Sequence, residues 1–274
     1  MERTVLITGS GSGIGLASAL EAARLGFRVV AAVHRPDQVP TTESAAAKAG
    51  VADRVEVPVL DVTDEAAAGA VIDRTRPWGL VNNAAVPNLG ALAEVPVADA
   101  RRQFDVMLFA AVRLTQLALP HMRREGAGRI VNVSSIVVDT DTPLFGWYAA
   151  AKSALSTLSD VLRPEIAHFG IDVVLVEPGI IDTPIWDEAA ADARRRRSDS
   201  LEPEAYDRAL EAISHVPDVA ADVAEVAETV GAVLHAGHPR FRYRVGSGAH
   251  VLPFVGRIVP TSVRDRVGRR LASL

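Results

Sequence analysis

Tyr148 and Lys152 stand four residues apart in a chain of 274 residues that holds only three tyrosines and two lysines. On a helix, four residues make about one turn, so the two side chains share a face. An ammonium held beside a phenol favours the phenolate and draws its pKa down from about 10 toward neutrality. A phenol tuned in this way can give a proton to a carbonyl oxygen or take one from an alcohol. The plainer alternative is an ordinary helix with an exposed lysine, and the rest of the chain argues against it.

A second group of residues suits phosphate. Thr8-Gly9-Ser10-Gly11-Ser12-Gly13-Ile14-Gly15 follows an apolar run and opens a helical pattern. That position matters more than the glycines themselves, because it brings bare backbone and a helix N-terminus up to a pyrophosphate. The spacing is Gly-x-x-x-Gly-x-Gly. The next apolar run reads Val29-Val30-Ala31-Ala32-Val33-His34-Arg35 and ends without the acid that usually holds the ribose hydroxyls of NAD. A guanidinium suits a 2′-phosphate, so His34 and Arg35 favour NADP, with NAD the lesser expectation. The alternative is that Arg35 is simply exposed.

These residues need a scaffold. Apolar, β-branched runs at Thr4–Thr8, Arg28–Val33, Val55–Leu60, Gly79–Asn82, Arg129–Val133, Asp172–Glu177 and Tyr243–Val245 predict strands. Helical patterns fill the gaps at Ile14–Leu25, Asp64–Arg74, Val97–Arg124, Tyr148–Phe169 and Ala220–His235. Such alternation predicts an α/β fold, a doubly wound Rossmann-type parallel sheet, with residues 1–274 as a single domain. Pro164 should kink the helix that begins near Tyr148 or end its first half. The charged segment Asp187–Arg208, with Arg194 to Arg197 in a row, breaks the alternation. It reads as the solvated face of a mobile substrate lid over residues 183–215 rather than an anion site. Residues 247–274 form a C-terminal extension.

Composition excludes several classes. There are no cysteines, so disulfides, thiolate metal sites and cysteine nucleophiles are absent. The seven histidines have no metal-ligand spacing, and no metal is expected. A net charge of −5 argues against nucleic acid as a partner. No signal peptide and no apolar stretch of membrane-spanning length is visible, and the cytoplasm is the expected location.

Taken in order along the chain, these motifs resemble the short-chain dehydrogenase/reductase family. Asp61-Val62 is similar to its adenine-contacting pair. Asn82-Asn83-Ala84-Ala85 is similar to its Asn-Asn-Ala-Gly signature. Ser135, thirteen residues before Tyr148, matches its catalytic serine, and Pro178-Gly179 with Thr183 matches the turn that holds the nicotinamide carboxamide. Trp78–Asn83, Val176–Gly179 and Arg242–Gly246 look similar to retinol- and hydroxysteroid-dehydrogenase-like members. The resemblance implies a catalytic set of Ser135, Tyr148 and Lys152. It implies cofactor contacts from Thr8, Gly9, Ser10, Ser12, Gly13, Ile14, Gly15, His34, Arg35, Asp61, Val62, Asn82, Ala84, Tyr148, Lys152, Pro178, Gly179, Ile181 and Thr183. It also implies a homodimer or homotetramer built through the helices at Val97–Arg124 and Tyr148–Phe169.

Two positions depart from the family pattern. Met107 stands where the family carries an asparagine in Phe104-Asp105-Val106-Met107, and that asparagine holds a water in a proton relay from the lysine. A thioether does not replace an amide in that role. Ala85 replaces the signature glycine, which is tolerable if its φ is negative.

Substrate should sit outside the carboxyl ends of the strands, between Val86–Leu89, Val137–Trp147 and Ile180–Trp186. These walls are apolar and suit a small-molecule lipophilic alcohol or ketone. Asp139 and Asp141 interrupt them, as substrate-orienting groups or as a polar turn before Pro143. Val251–Leu274 carries Arg257, Arg264, Arg266, Arg269 and Arg270 in an apolar background, which suits a pocket-covering tail better than a membrane-surface segment. The expected function is NADP-dependent interconversion of an alcohol and a ketone or aldehyde. The alternatives are a non-catalytic nucleotide-binding scaffold or sensor, motivated by Met107, and an NAD-dependent alcohol dehydrogenase of the same fold.

Overall fold

The apolar runs form seven strands, and all seven lie parallel in one sheet of order β3-β2-β1-β4-β5-β6-β7. The structure is a computed structural model that describes residues 3–249 together with 262, 263 and 266. The strands are β1 (Thr4–Thr8), β2 (Arg28–Ala32), β3 (Val55–Glu56), β4 (Gly79–Asn82), β5 (Gly128–Val133), β6 (Ile171–Pro178) and β7 (Arg242–Val245). The helices are α1 (Gly13–Arg24), α2 (Gln38–Lys48), α3 (Glu65–Thr75), α4 (Val97–Phe104), α5 (Ala110–Glu125), α6 (Gly146–Ile166), α7 (Ile185–Arg197), α8 (Pro203–Ser214), α9 (Val216–Val219) and α10 (Val223–His235).

Alternate residues of each strand feed two cores. Val5, Ile7, Val29, Ala31, Val131 and Val176 pack under α1 and α10. Leu6, Val30, Leu80, Ile130 and Val173 pack on the other face, under α3 and α5. Both faces are dry, which is why the strands read as continuous apolar runs rather than as alternating ones. The chain starts in the middle of the sheet, runs outward to β3, and then crosses over to β4. The carboxyl ends of β1 and β4 therefore flank the switch point, where doubly wound sheets open a crevice.

Several boundaries differ from the sequence expectation, each for a local reason. The third strand keeps only two of its six expected residues in the ladder. Pro58 has no N–H to give, and pairing continues only through an isolated bridge from Val33 to Val59. The single helix expected over Val97–Arg124 is α4 and α5 joined by a π-turn at Asp105–Phe109. In that turn Met107 and Leu108 face the interior and Phe109 faces solvent. Pro164 does not split α6, because it falls in the last turn, two residues before the helix ends at Ile166. Three of the longer helices were not expected from the sequence. One is α2, with only Thr42 and Ala46 buried; another is the alanine- and arginine-rich α7; the third, α8, does carry an apolar stripe at Ala205, Tyr206, Ala209, Leu210 and Ile213 that the charged run before it obscured. Among the described residues no helix is long and apolar enough to cross a membrane. The tail Val251–Leu274 lies outside the described residues apart from 262, 263 and 266.

Candidate active site

At the switch point lies a cleft of about 1010 Å³ that reaches from the turn after β1, past the ends of β2, β4, β5 and β6, to the first turns of α7. Gly9, Gly11, Ser12, Gly13, Ile14 and Gly15 form its floor at one end. Gly9 has φ +69° and Gly13 φ +52°, backbone that L side chains rarely adopt. A Cβ on Gly15 would stand 2.2 Å from the Gly9 carbonyl oxygen. Ser12 caps α1 in extended geometry without a side-chain hydrogen bond. The first N–H groups of the helix therefore point into the cleft without intrahelical partners. This bare, donor-rich backbone fits a dinucleotide pyrophosphate.

Thr8, Ser10 and Asn82 do not line the cleft but hold its wall from behind. Thr8 Oγ1 donates to the Val81 carbonyl (3.3 Å) and accepts from the N–H groups of Asn83 (3.0 Å) and Ala84 (3.1 Å). Ser10 Oγ donates to Ile7. The Asn82 amide turns inward to Asn132 Oδ1 at 2.8 Å, because its strand position points it into the sheet between β4 and α5. Asn83 is the one of the pair that reaches the glycine turn, donating to the carbonyls of Thr8 and Gly9. Ala84 and Ala85 line the cleft, and Ala85 is not among the positive-φ residues, so its methyl group is accommodated without strain.

His34 and Arg35 stand at the rim as expected, with Asp61 and Val62 beside them. Arg35 pairs with Asp37 at 3.1 Å, and this bond raises the guanidinium pKa further. Gln38 Oε1 accepts from the N–H groups of both His34 (3.1 Å) and Arg35 (3.0 Å), which fixes the end of β2. Burial pushes the Asp61 carboxyl up, but hydrogen bonds from Thr63 and the charges of His34 and Arg102 outweigh it and leave the pKa lowered. Gln38, Thr63, Asn83, Arg102, Asp105 and Glu188 line the cleft without having been singled out in the sequence. Gln38 carried the clearest missed signal, as a polar side chain just after the His34-Arg35 turn.

Ser135, Tyr148 and Lys152 all line this cleft. Ser135 caps a short 3₁₀ turn after β5, and its Oγ accepts from the Val137 N–H at 3.2 Å. One turn of α6 separates Tyr148 from Lys152, and Lys152 Nζ donates to the Val133 carbonyl at 2.7 Å. The ammonium lies 5.8 Å from the centre of the Tyr148 ring. The expected lowering of the phenol pKa is absent. Burial pushes Tyr148 up to about 12 and the Lys152 ammonium down to about 8. Loss of hydration for each group outweighs their mutual attraction in the protein alone.

The far end of the cleft is largely apolar. Val86, Pro87, Val137, Phe145, Ile185 and Trp186 line it, the polar Asn88, Thr140 and Thr142 line the cleft from the same segments, and Pro178, Gly179, Ile181 and Thr183 stand at the end of β6 and just beyond it. Thr183 packs against Gly13, 3.2 Å from where a Cβ would be. Leu89, expected in this wall, is instead fully buried under α7 and α8. Asp139 does not line the cleft but pairs with Arg244 at 2.7 Å, and Arg244 also binds the buried Glu177 at 3.1 Å. The arginine run of α7 is not a solvated face throughout. Arg195 and Arg197 pair with Asp192 and Asp207, while Arg196 is largely buried and binds Asn88 (2.8 Å) and Asp99 (2.6 Å).

The profile of the family described as short chain dehydrogenase matches residues 3–194. The chain is 36% identical over 273 residues to the uncharacterized oxidoreductase YbbO of Escherichia coli K12, covering 97% of this chain and 94% of that protein. It is 28% identical over 289 residues to retinol dehydrogenase 7 of Rattus norvegicus, covering 97% and 87% respectively. A solved short chain dehydrogenase/reductase of Burkholderia phymatum in complex with NAD is 26% identical, with a TM-score of 0.75 and 88% of each chain covered. The protein thus belongs to the short chain dehydrogenase family and is an NAD(P)-dependent dehydrogenase/reductase.

Proposed function

We propose that the protein uses NADP to interconvert a secondary alcohol and a ketone, or an aldehyde, of apolar character, with Tyr148 as the general acid and base. One observation carries this reading. Ser135, Tyr148 and Lys152 line the same cleft as the glycine turn and a set of apolar side chains. The glycine turn, Asp61, Ala84 and the Pro178–Thr183 turn would hold the dinucleotide, which when bound supplies or accepts the hydride. A phenol pushed up to about 12 keeps its proton at neutral pH, so Tyr148 enters the reaction in the protonated form that donation to a carbonyl oxygen requires. The Lys152 ammonium, still mostly charged at pH 7, stabilises the phenolate left behind. Ser135 Oγ, held by its bond to Val137, donates to the same carbonyl oxygen as negative charge develops there.

The choice of NADP rests on Arg35 and on the lack of an acid at the end of β2. A 2′-phosphate would have to draw Arg35 away from Asp37, and an exposed ion pair of this kind costs little to break. The test is titration with NADPH and NADH, followed by nicotinamide fluorescence. Preference for NADPH that is lost in Arg35→Ala supports the reading. Preference for NADH, or an unchanged NADPH affinity in Arg35→Ala, removes it in favour of the NAD-dependent alternative.

The buried Met107 supports a second reading, a nucleotide-binding sensor without chemistry. It predicts cofactor binding with no hydride transfer across a broad carbonyl panel, and gain of turnover in Met107→Asn.

A further inference from the structure

Lys152 lines two cavities. One is the cleft. Lys152 also lines a small pocket of about 10 Å³ together with Thr8, Asn82, Met107, Ala111 and Leu155. That is about the smallest space that holds one water molecule. Most of its wall is apolar, and the polar side-chain atoms on it belong to Thr8, Asn82 and Lys152. Thr8 Oγ1 is fully engaged, with one carbonyl and two N–H partners.

The orientation of the Asn82 amide follows from a chain of bonds. Ser159 Oγ donates to the Leu155 carbonyl at 2.7 Å, so it accepts from Asn132 Nδ2 at 2.8 Å. Asn132 Oδ1 is then the end that faces Asn82, and it requires a donor, Asn82 Nδ2, at 2.8 Å. This leaves Asn82 Oδ1 as the amide's free end. It is buried, in a residue 5% exposed, and has no partner among the described residues. A buried acceptor left unpaired costs stability and calls for a donor. Lys152 Nζ has three N–H donors, of which the Val133 carbonyl takes one. Asn82, which carries the orphan acceptor, and Lys152, which carries surplus donors, thus line the same small pocket.

We propose that Asn82 is a positioning residue that acts on Lys152 through one buried water, which accepts from Nζ and donates to Asn82 Oδ1. The inference rests on the catalytic reading of Lys152. Met107 lines this pocket with a side chain that has no N–H or O–H to offer. The polar support of the lysine comes instead from the sheet, at the end of β4. The ammonium is held from two sides, by Val133 and by the water, and so is kept aimed at Tyr148.

The first test is a crystal structure of the wild-type protein at about 1.5 Å, where ordered water is well defined. The proposal expects one density peak within about 3.2 Å of both Asn82 Oδ1 and Lys152 Nζ. A pocket without such a peak overturns it, whatever the activity. The second test uses the scarcity of lysine. With ¹³C at lysine Cε, the spectrum holds two signals, from exposed Lys48 and from Lys152. Asn82→Leu should shift the Lys152 signal, leave Lys48 in place, and lower kcat at least about tenfold with KM and cofactor affinity kept. If Asn82→Leu does not fold, Met107→Asn places an amide in the pocket and displaces the water, and should shift the same signal. A Lys152 signal unmoved in a folded variant overturns the proposal. A peak and a shift in a protein that never turns over would support the water and sink the catalytic reading instead.

Discussion

At the scale of single residues, the site combines groups whose protonation is set by burial rather than by each other. Lys152 has its pKa lowered from 10.5 to about 8, so between those values the unfolded chain binds more protons than the folded one. Stability of the protein alone should therefore rise as pH increases from about 8 toward 10.5. Tyr148, raised from 10.0 to about 12, acts in the opposite sense above pH 10, where the folded chain keeps a proton that the unfolded chain has lost. Thermal unfolding followed across pH 7 to 10 should show the rise in wild type and lose it in Lys152→Met. A flat wild-type profile would mean that Lys152 is not desolvated. Sequence spacing placed Tyr148 and Lys152 on one face. It did not reveal that both lose hydration, because burial depends on the packing of β5 and α6 around them.

At the scale of elements, the glycine turn and the α7–α8 segment are held by contacts of different strength. Gly15→Ala sets a methyl group against the Gly9 carbonyl and Asn83 Nδ2, both fixed by the sheet. Binding of NADPH should fall by at least tenfold, measured by fluorescence titration. A wild-type affinity would show that the turn shifts freely. On α7, Arg196→Ala leaves Asn88 and Asp99 without their shared donor. Loss of charged hydrogen bonds of this kind is worth about 2 kcal/mol. The variant should melt earlier and be cut by protease near Ser198–Leu201, with KM for an apolar ketone raised more than kcat is lowered. Strands β1, β2, β4, β5 and β6 were legible because they are largely apolar on both faces, whereas β7 carries Arg242 and Arg244 and β3 keeps only Val55–Glu56. Helix α7 was not legible, since Ala189, Ala190 and Ala193 are its few core contacts and four arginines dominate its last turns. The π-turn around Met107 was also hidden, because a single extra residue in a helical turn leaves the apolar pattern of Val97–Arg124 intact.

For the whole molecule, the parallel sheet fixes where chemistry can occur, since its switch point puts the donor-rich turn and the Tyr148 helix on one cleft. The outer surface of the same helices carries exposed apolar side chains. Phe109 at the π-turn is 54% exposed, and Leu158 and Val161 on α6 are 44% and 50% exposed. The family resemblance implies a homodimer or homotetramer built through these helices, and burial of apolar side chains would favour it. Wild type should sediment above monomer mass, and Phe109→Asp with Val161→Asp should shift it toward monomer; an unchanged assembly would place the interface elsewhere. The catalytic claim is tested most directly by single-turnover hydride transfer from NADPH to an apolar ketone that wild type reduces, compared with Tyr148→Phe. The account predicts unchanged NADPH affinity and a transfer rate lower by about 10²–10⁴-fold, the usual worth of a positioned proton donor. Full transfer by Tyr148→Phe would contradict it.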